Sequence, residues 1–219
     1  MAFNVAIDGP AGAGKSTIAK AVAAKKGYVY VDTGAMYRAM ALYFLRAGIS
    51  KDDEAKISAS VDDIRVSIKY EDGAQHVILN DEDVTGLIRT EEVGNMASAT
   101  SVYGAVRTKL VALQQELAKT TDVIMDGRDI GTVVLPNANV KVFLTASVEC
   151  RAKRRFDELK AKGENPDFEQ IAKDIEERDY RDSHRQISPL KQAEDAVLVD
   201  SSNMTIDEVV NTIINLCNK

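Results

Sequence analysis

Two cysteines in 219 residues, Cys150 and Cys217, are too few and too widely spaced for a disulfide framework or a zinc site. Both are expected to be reduced and structural. The two histidines, His76 and His184, are also sparse, and neither sits in a metal-ligand or triad pattern. No stretch approaches the roughly 18 apolar residues that a membrane span needs. Met1-Ala2-Phe3-Asn4 carries no basic region, and Asp8 with a glycine loop interrupts the first apolar run at once. No secretory signal is therefore expected, and the expected compartment is the cytoplasm. Net positive charge is lacking too, since 28 Lys and Arg stand against 34 Asp and Glu for a formal charge of −6. With that balance no electrostatic grip on long nucleic acid is expected. Clusters of arginine run against the overall sign and so point to a small anionic ligand. Repeats, low-complexity tracts and linkers are absent.

What is present is an ordinary globular composition, 45% hydrophobic and 28% charged. The length suits one domain, or one domain with an insertion. Phe3 to Ile7 reads as a buried strand ending at Asp8-Gly9-Pro10. Lys15 to Lys26 has helical composition and stops at Gly27. Tyr28 to Val31 is a second strand, and Ala35 to Ala47 a second helix that stops at Gly48. This β-loop-α-β-α order predicts an α/β fold with a parallel sheet flanked by helices. Ile64 to Tyr70 alternates with period two, Glu71-Asp72-Gly73-Ala74 is a turn signal, and His76 to Leu79 follows, which predicts a β-hairpin. A hairpin within β/α alternation marks an insertion, at about 62–92. Val102 to Lys119 is helical again. Val123 to Met125, Val140 to Leu144 and Val197 to Val199 are strands, and a last helix runs from about Thr205 to Cys217.

Gly9-Pro10-Ala11-Gly12-Ala13-Gly14-Lys15-Ser16 matches G-x-x-x-x-G-K-[ST], with Thr17 next. A triphosphate needs several backbone N–H donors turned inward at once, and glycines let the chain curl tightly enough to present them. The following helix begins with unpaired N–H groups at its positive end. Lys15 can reach the β- and γ-phosphates, and Ser16 can ligate Mg2+. The loop does not identify the acceptor, because ATPases, GTPases and kinases share it.

Acid and arginine occur together at three other turns. Asp32-Thr33-Gly34-Ala35-Met36-Tyr37-Arg38 follows strand two, where parallel sheets bind ligands. It reads equally well as a helix cap with Arg38 on a solvated face. Asp126-Gly127-Arg128-Asp129-Ile130-Gly131-Thr132 follows an apolar strand. There Asp126 suits a carboxylate near Mg2+, Arg128 suits a phosphate, and Asp129 can accept hydrogen bonds from a base or sugar. A turn salt bridge is the plainer alternative. Finally, at about 100° per residue, Arg178, Arg181, Asp182 and Arg185 fall on one helix stripe. Like charges at this spacing repel, so the stripe calls for compensation by Asp179 and Asp182 or by a bound polyanion. Taken singly, a solvated charged helix is the simpler reading. Together, a phosphate loop and several arginines point to a phosphorylated acceptor more readily than to water.

The ordered set GPAGAGKST (Gly9 to Thr17), DTGAMYR (Asp32 to Arg38), IRTEEV (Ile88 to Val93), DGRDIGTVV (Asp126 to Val134) and ERDYRDSHRQISPL (Glu177 to Leu190) resembles the bacterial cytidylate kinase family over essentially the whole chain. The resemblance implies transfer of the γ-phosphate of ATP to CMP or dCMP in pyrimidine nucleotide metabolism. It implies the P-loop nucleoside monophosphate kinase fold: a single domain with a five-stranded parallel core, an NMP-binding insertion at about 62–92 and a LID at about 151–167. Gly9, Pro10, Ala11, Gly12, Ala13, Gly14, Lys15, Ser16 and Thr17 would hold ATP, with Ser16 and Asp126 at Mg2+. Thr33, Arg38, Ser98, Arg107, Arg128, Asp129, Arg178, Asp182 and Arg185 would line the CMP site. Among them Ser98, Arg107 and Asp129 would read cytosine, Arg38, Arg128 and Arg185 would hold phosphate, and Arg178 and Asp182 the ribose. Lys15, Arg128, Arg181 and Arg185 are the expected catalytic side chains, and Arg151, Arg154 and Arg155 could close over ATP. The expected partners are small nucleotides, with no long nucleic acid and no membrane, and the expected state is a monomer. A P-loop kinase for UMP, AMP or a small metabolite such as shikimate, and a non-catalytic nucleotide-binding switch, remain as other readings.

Overall fold

A computed structural model describes residues 2–71 and 74–218. The chain runs β1 (Asn4–Asp8), α1 (Lys15–Lys26), β2 (Val29–Asp32), α2 (Thr33–Arg46), α3 (Glu54–Ser60), β3 (Val66–Glu71), β4 (Ala74–Leu79), β5 (Glu82–Asp83), α4 (Glu91–Thr100) and α5 (Gly104–Thr120). It continues through β6 (Val123–Gly127), a wide turn at Ile130–Val134, β7 (Val140–Thr145), α6 (Val148–Ala161), α7 (Phe168–His184), β8 (Val197–Asp200) and α8 (Ile206–Cys217). Two compact units emerge, Met1–Tyr30 with Thr120–Lys219, and Val31–Lys119. Among the described residues, no helix is long and apolar enough to cross a membrane.

The first unit is built on the expected five-stranded parallel sheet, in the order β2-β6-β1-β7-β8. Strand β1 is central, with Ile7 opposite Asp126 on β6 and Val142 on β7. Val5, Ala6 and Ile7 are all fully buried. A strand covered on both faces has no solvent side to alternate with, which is why its sequence is a continuous apolar run. Ile18, Val22 and Ala23 of α1 and Val209, Val210 and Ile213 of α8 pack with Val5, Ile7, Ile124, Val142 and Leu144 in one core. Burial of each large aliphatic side chain contributes about 1.5–3 kcal/mol. Gly27 ends α1 in the left-handed conformation (φ 72°), as its position after the helical run predicts.

The second unit carries the hairpin. Antiparallel β3 and β4 pair from Val66–Leu79 to Glu71–Ala74. Asp72 and Gly73, read as the turn, lie outside the described residues. A third strand, β5, adds to β4 and was not expected, because two exposed acidic residues carry no strand pattern. Helix α4 is likewise new and starts inside the stretch assigned to the insertion. Thr90 caps it, accepting from the Val93 N–H at 3.3 Å, and Glu91 and Glu92 fill its first turn. Gly94 in its interior masks the helical pattern. In the first unit, residues 151–161 of the segment expected to be a LID continue α6, which Ser147 caps.

Candidate active site

The phosphate loop takes its shape from β1 and α1. Gly9, Gly12 and Gly14 all have positive φ (150°, 75° and 87°), so the curl rests on conformations that side chains rarely adopt. Gly14 precedes α1 without any side-chain cap, which leaves the helix start to an incoming anion. Lys15 is buried at 6% exposure, and its Nζ donates to the Pro10 carbonyl at 2.7 Å. Burial, and then the neighbouring charge of Arg128, pull its pKa down to about 7. Arg178 acts in the same direction, while Asp126 and Asp8 oppose it. Positive charge is thus gathered beside the loop, at a cost that a polyanion would offset.

Ser16 Oγ donates to Asp126 Oδ2 at 2.8 Å, and Tyr30 Oη donates to Oδ1 of the same carboxylate at 2.8 Å. The hydroxyl and the carboxylate that sequence spacing assigned to one metal therefore touch. Tyr30 was read only as an apolar strand residue, and its role depends on β2 lying beside β6, which no local pattern reveals. Among the described residues no group of three or more His, Cys, Asp or Glu forms a dedicated metal cage.

Arg128 and Asp129 follow β6. Arg128 Nε donates to Asp182 Oδ2 at 2.8 Å, and the Arg185 guanidinium lies 3.7 Å from Asp129 Oδ1. Burial raises the Asp182 pKa, but the charges of Arg128, Arg178 and Arg185 outweigh it and hold the carboxyl below its ordinary value. The expected helix stripe is only partly realised. Arg178 is half-buried and Asp182 buried, but Arg181 is exposed. Helix α7 ends at His184, and Arg185 is extended (φ −65°, ψ 144°). The backbone turns back there, with Leu190 N–H donating to the Asp182 carbonyl at 2.8 Å. Arg185 reaches Asp129 from beyond the helix, so the uninterrupted 100° wheel misplaces it.

Of the three arginines expected to close over ATP, Arg151 is 4% exposed and already engaged. It donates to the carbonyls of Ala146 (2.9 Å) and Ala11 (3.0 Å) and to Asp179 Oδ2 at 2.6 Å. Arg151 thus braces the phosphate loop and ties it to α7. Arg154 bonds the carbonyls of Ala13 and Ser201, and Arg155 pairs with Glu158 on the surface.

In the second unit, Asp32 is indeed a helix cap, accepting from Ala35 N–H at 2.9 Å, and its other oxygen meets Arg89 at 2.7 Å. Thr33 is buried at the start of α2. Arg38 is half-buried and donates to the carbonyls of Ile88 (3.2 Å) and Thr90 (3.4 Å). Burial, then the Arg89 charge, lowers its pKa. Arg89 lay unassigned within the IRTEEV segment. Ser98 and Arg107 come together through Ser101, whose hydroxyl donates to the Ser98 carbonyl (3.0 Å) and whose carbonyl accepts from Arg107 (3.1 Å). The Arg107 guanidinium also lies 5.7 Å from the Tyr37 ring centroid.

The sheet, the glycine loop and the helix opening behind it define a P-loop kinase fold. A shikimate kinase from Bacteroides thetaiotaomicron shares it at a TM-score of 0.50 and 14% identity, covering 99% of each chain. A protein from Eubacterium ventriosum does so at 0.56 and 11%, again over 99% of each. Within that class the cytidylate kinase family profile matches residues 5–219, and the chain belongs to this family. The cytidylate kinase of Leuconostoc mesenteroides is 54% identical over 214 residues, 98% of this chain and 96% of the relative. That of Ligilactobacillus salivarius is 53% identical with the same coverage. That of Bacillus licheniformis is 50% identical over 216 residues, again 98% and 96%.

Proposed function

We infer that this chain transfers the γ-phosphate of ATP to CMP or dCMP, giving ADP and CDP or dCDP. Family membership across nearly the whole chain supports the reaction. The observation that carries its chemistry is Lys15, a buried ammonium depressed by burial and by two arginines beside a glycine loop. An acceptor phosphate oxygen attacks the γ-phosphorus, the bond to the β,γ-bridging oxygen breaks, and ADP leaves with that electron pair. The loop N–H groups between Gly9 and Thr17, Pro10 having none, hold the donor, and Lys15 neutralises charge building on the transferring group. Ser16 and Asp126 offer two adjacent oxygen donors, which suits Mg2+, a hard cation bound through one or two carboxylates plus substrate phosphates. When bound, the ion would neutralise phosphate charge.

Arg38, Arg128 and Arg185 are assigned to the acceptor phosphate, Arg178 and Asp182 to the ribose, and Thr33, Ser98, Arg107 and Asp129 to the rest of the nucleotide. Arg181 joins Lys15, Arg128 and Arg185 as a catalytic side chain, reaching the transferring group when nucleotides bind. Arg154 and Arg155 are assigned to ATP. The chain acts as a monomer in the cytoplasm.

The direct test is ADP production from ATP with CMP, dCMP, UMP and AMP in turn. Turnover with CMP and dCMP is expected, and no transfer to either would sink the reading. Asp129→Ala removes a buried carboxylate assigned to cytosine. The CMP-to-UMP ratio of kcat/KM is expected to fall by about ten-fold, near 1.4 kcal/mol of discrimination. An unchanged ratio in the folded variant would remove Asp129 from base recognition.

A further inference from the structure

Asp8 is the last residue of β1 and immediately precedes the phosphate loop. The nucleotide assignments give it no task, yet its carboxylate is among the most buried charges in the first unit, at 4% exposure. Its two oxygens are used separately. Oδ1 accepts from the Ile130 N–H and Oδ2 from the Gly131 N–H, each at 2.7 Å. Burial nonetheless dominates and pushes its pKa up to about 6. A buried carboxylate that even two backbone donors do not fully compensate is a poor stabiliser, so stability alone does not account for it.

The geometry gives it a further role. Ile130 and Gly131 open the wide turn at Ile130–Val134, in which Leu135 N–H reaches back to the Ile130 carbonyl and Val134 N–H to that of Asp129. Turns of this i→i+5 kind are rare and concentrate at functional sites. Arg128 and Asp129 stand immediately before it. Gly131 admits the close approach, because a Cβ there would lie 3.3 Å from Asp8 Oδ2 and 3.2 Å from Lys141 Cδ. Its φ is not positive, so glycine is present for space. One carboxylate therefore pins the segment carrying Arg128 and Asp129 to the residue that begins the phosphate loop.

We propose that Asp8 is a positioning residue, whose paired bonds to the Ile130 and Gly131 amides set the placement of Arg128 and Asp129 relative to the phosphate loop. The proposal rests on the reading of Arg128 and Asp129 as CMP ligands.

Two variants test it, Asp8→Asn and Gly131→Ala, with steady-state kinetics in both substrates in a buffer alkaline enough to keep Asp8 ionised. Asparagine keeps the size and one acceptor but turns an NH2 toward a backbone donor. Alanine leaves the carboxylate intact and crowds the amide it holds. In each, KM for CMP is expected to rise by about ten-fold or more and the CMP-to-UMP ratio to fall, while KM for ATP stays within about two-fold. A purely structural role would instead lower the melting temperature, or raise both KM values together, and either pattern alone overturns the proposal. So does a CMP KM unchanged in the folded variants. If Asp8→Asn does not fold, Gly131→Ala decides by the same criteria. Wild-type protein run in parallel separates the two inferences. Failure of wild type to phosphorylate CMP or dCMP sinks the kinase reading, whereas normal wild-type turnover with unaffected variants sinks only the role of Asp8.

Discussion

Lys15→Met is expected to lower kcat for CMP phosphorylation by about 10²–10³-fold, roughly 2.7–4 kcal/mol of transition-state stabilisation, while the protein stays folded. The ammonium lies within the loop that would hold the triphosphate and hydrogen-bonds a carbonyl there. Burial and the charges of Arg128 and Arg178 lower its pKa from 10.5 to about 7. The sign of the stability effect follows from that direction. Between about pH 7 and 10.5 the unfolded chain binds more protons at this position than the folded one, so stability rises with pH across the window. Below about 7 the folded chain carries the full cost of burying the charge. Methionine fills similar volume without that charge, so the melting temperature at neutral or lower pH should equal or exceed that of wild type. Coupled ADP production and thermal unfolding measure the two halves. A kcat within about ten-fold of wild type would remove Lys15 from the chemistry, and a large fall in melting temperature would contradict the electrostatic account.

The same residue shows how far the sequence could be read. The loop from Gly9 to Ser16 is a local device whose motif falls within eight consecutive positions, so its spacing is read directly from the sequence. The parallel sheet was legible for a related reason. Strands β1 and β6 are buried on both faces, and Val5–Ile7 and Val123–Met125 are uninterrupted apolar runs. By contrast, the Tyr30 hydroxyl on Asp126 depends on strand order, and Arg185 facing Asp129 depends on where α7 ends. Arg151 is the sharpest case. It is expected with Arg154 and Arg155 to close over ATP, yet it is buried and holds three separate groups. Its burial comes from tertiary packing, which helix periodicity does not encode. Strand β5 shows the other limit, since two residues are too few for any period. Asp8 falls between these cases. Its position before the loop was plain, but its partners lie more than a hundred residues away in sequence.

Gly9→Ala is expected to be the most damaging substitution in the loop for folding. A Cβ at Gly9 would land inside the van der Waals envelope of the Leu144 carbonyl oxygen and 3.0 Å from its carbon. The obstacle is backbone of β7, whose register with β1 places Asp8 opposite Phe143. No rotamer change can relieve it, so either the β1–β7 ladder opens or the loop shifts away. The positive φ of 150° adds strain of its own. Overpacking and strain together should cost about 3–5 kcal/mol, a fall in melting temperature on the order of 10 °C for a chain of this size. Gly27→Ala separates the two causes. Gly27 also has positive φ (72°), but a Cβ there meets nothing within 4 Å, so only the conformational cost of about 1–2 kcal/mol should appear. Any Gly9→Ala protein that folds is expected to bind ATP at least about ten-fold more weakly, because the amides from Gly9 onward would no longer converge on the phosphates. Equal melting temperatures for the two variants, with ATP affinity intact, would show that the loop tolerates a side chain at its first position and that its curl is not set by contact with β7.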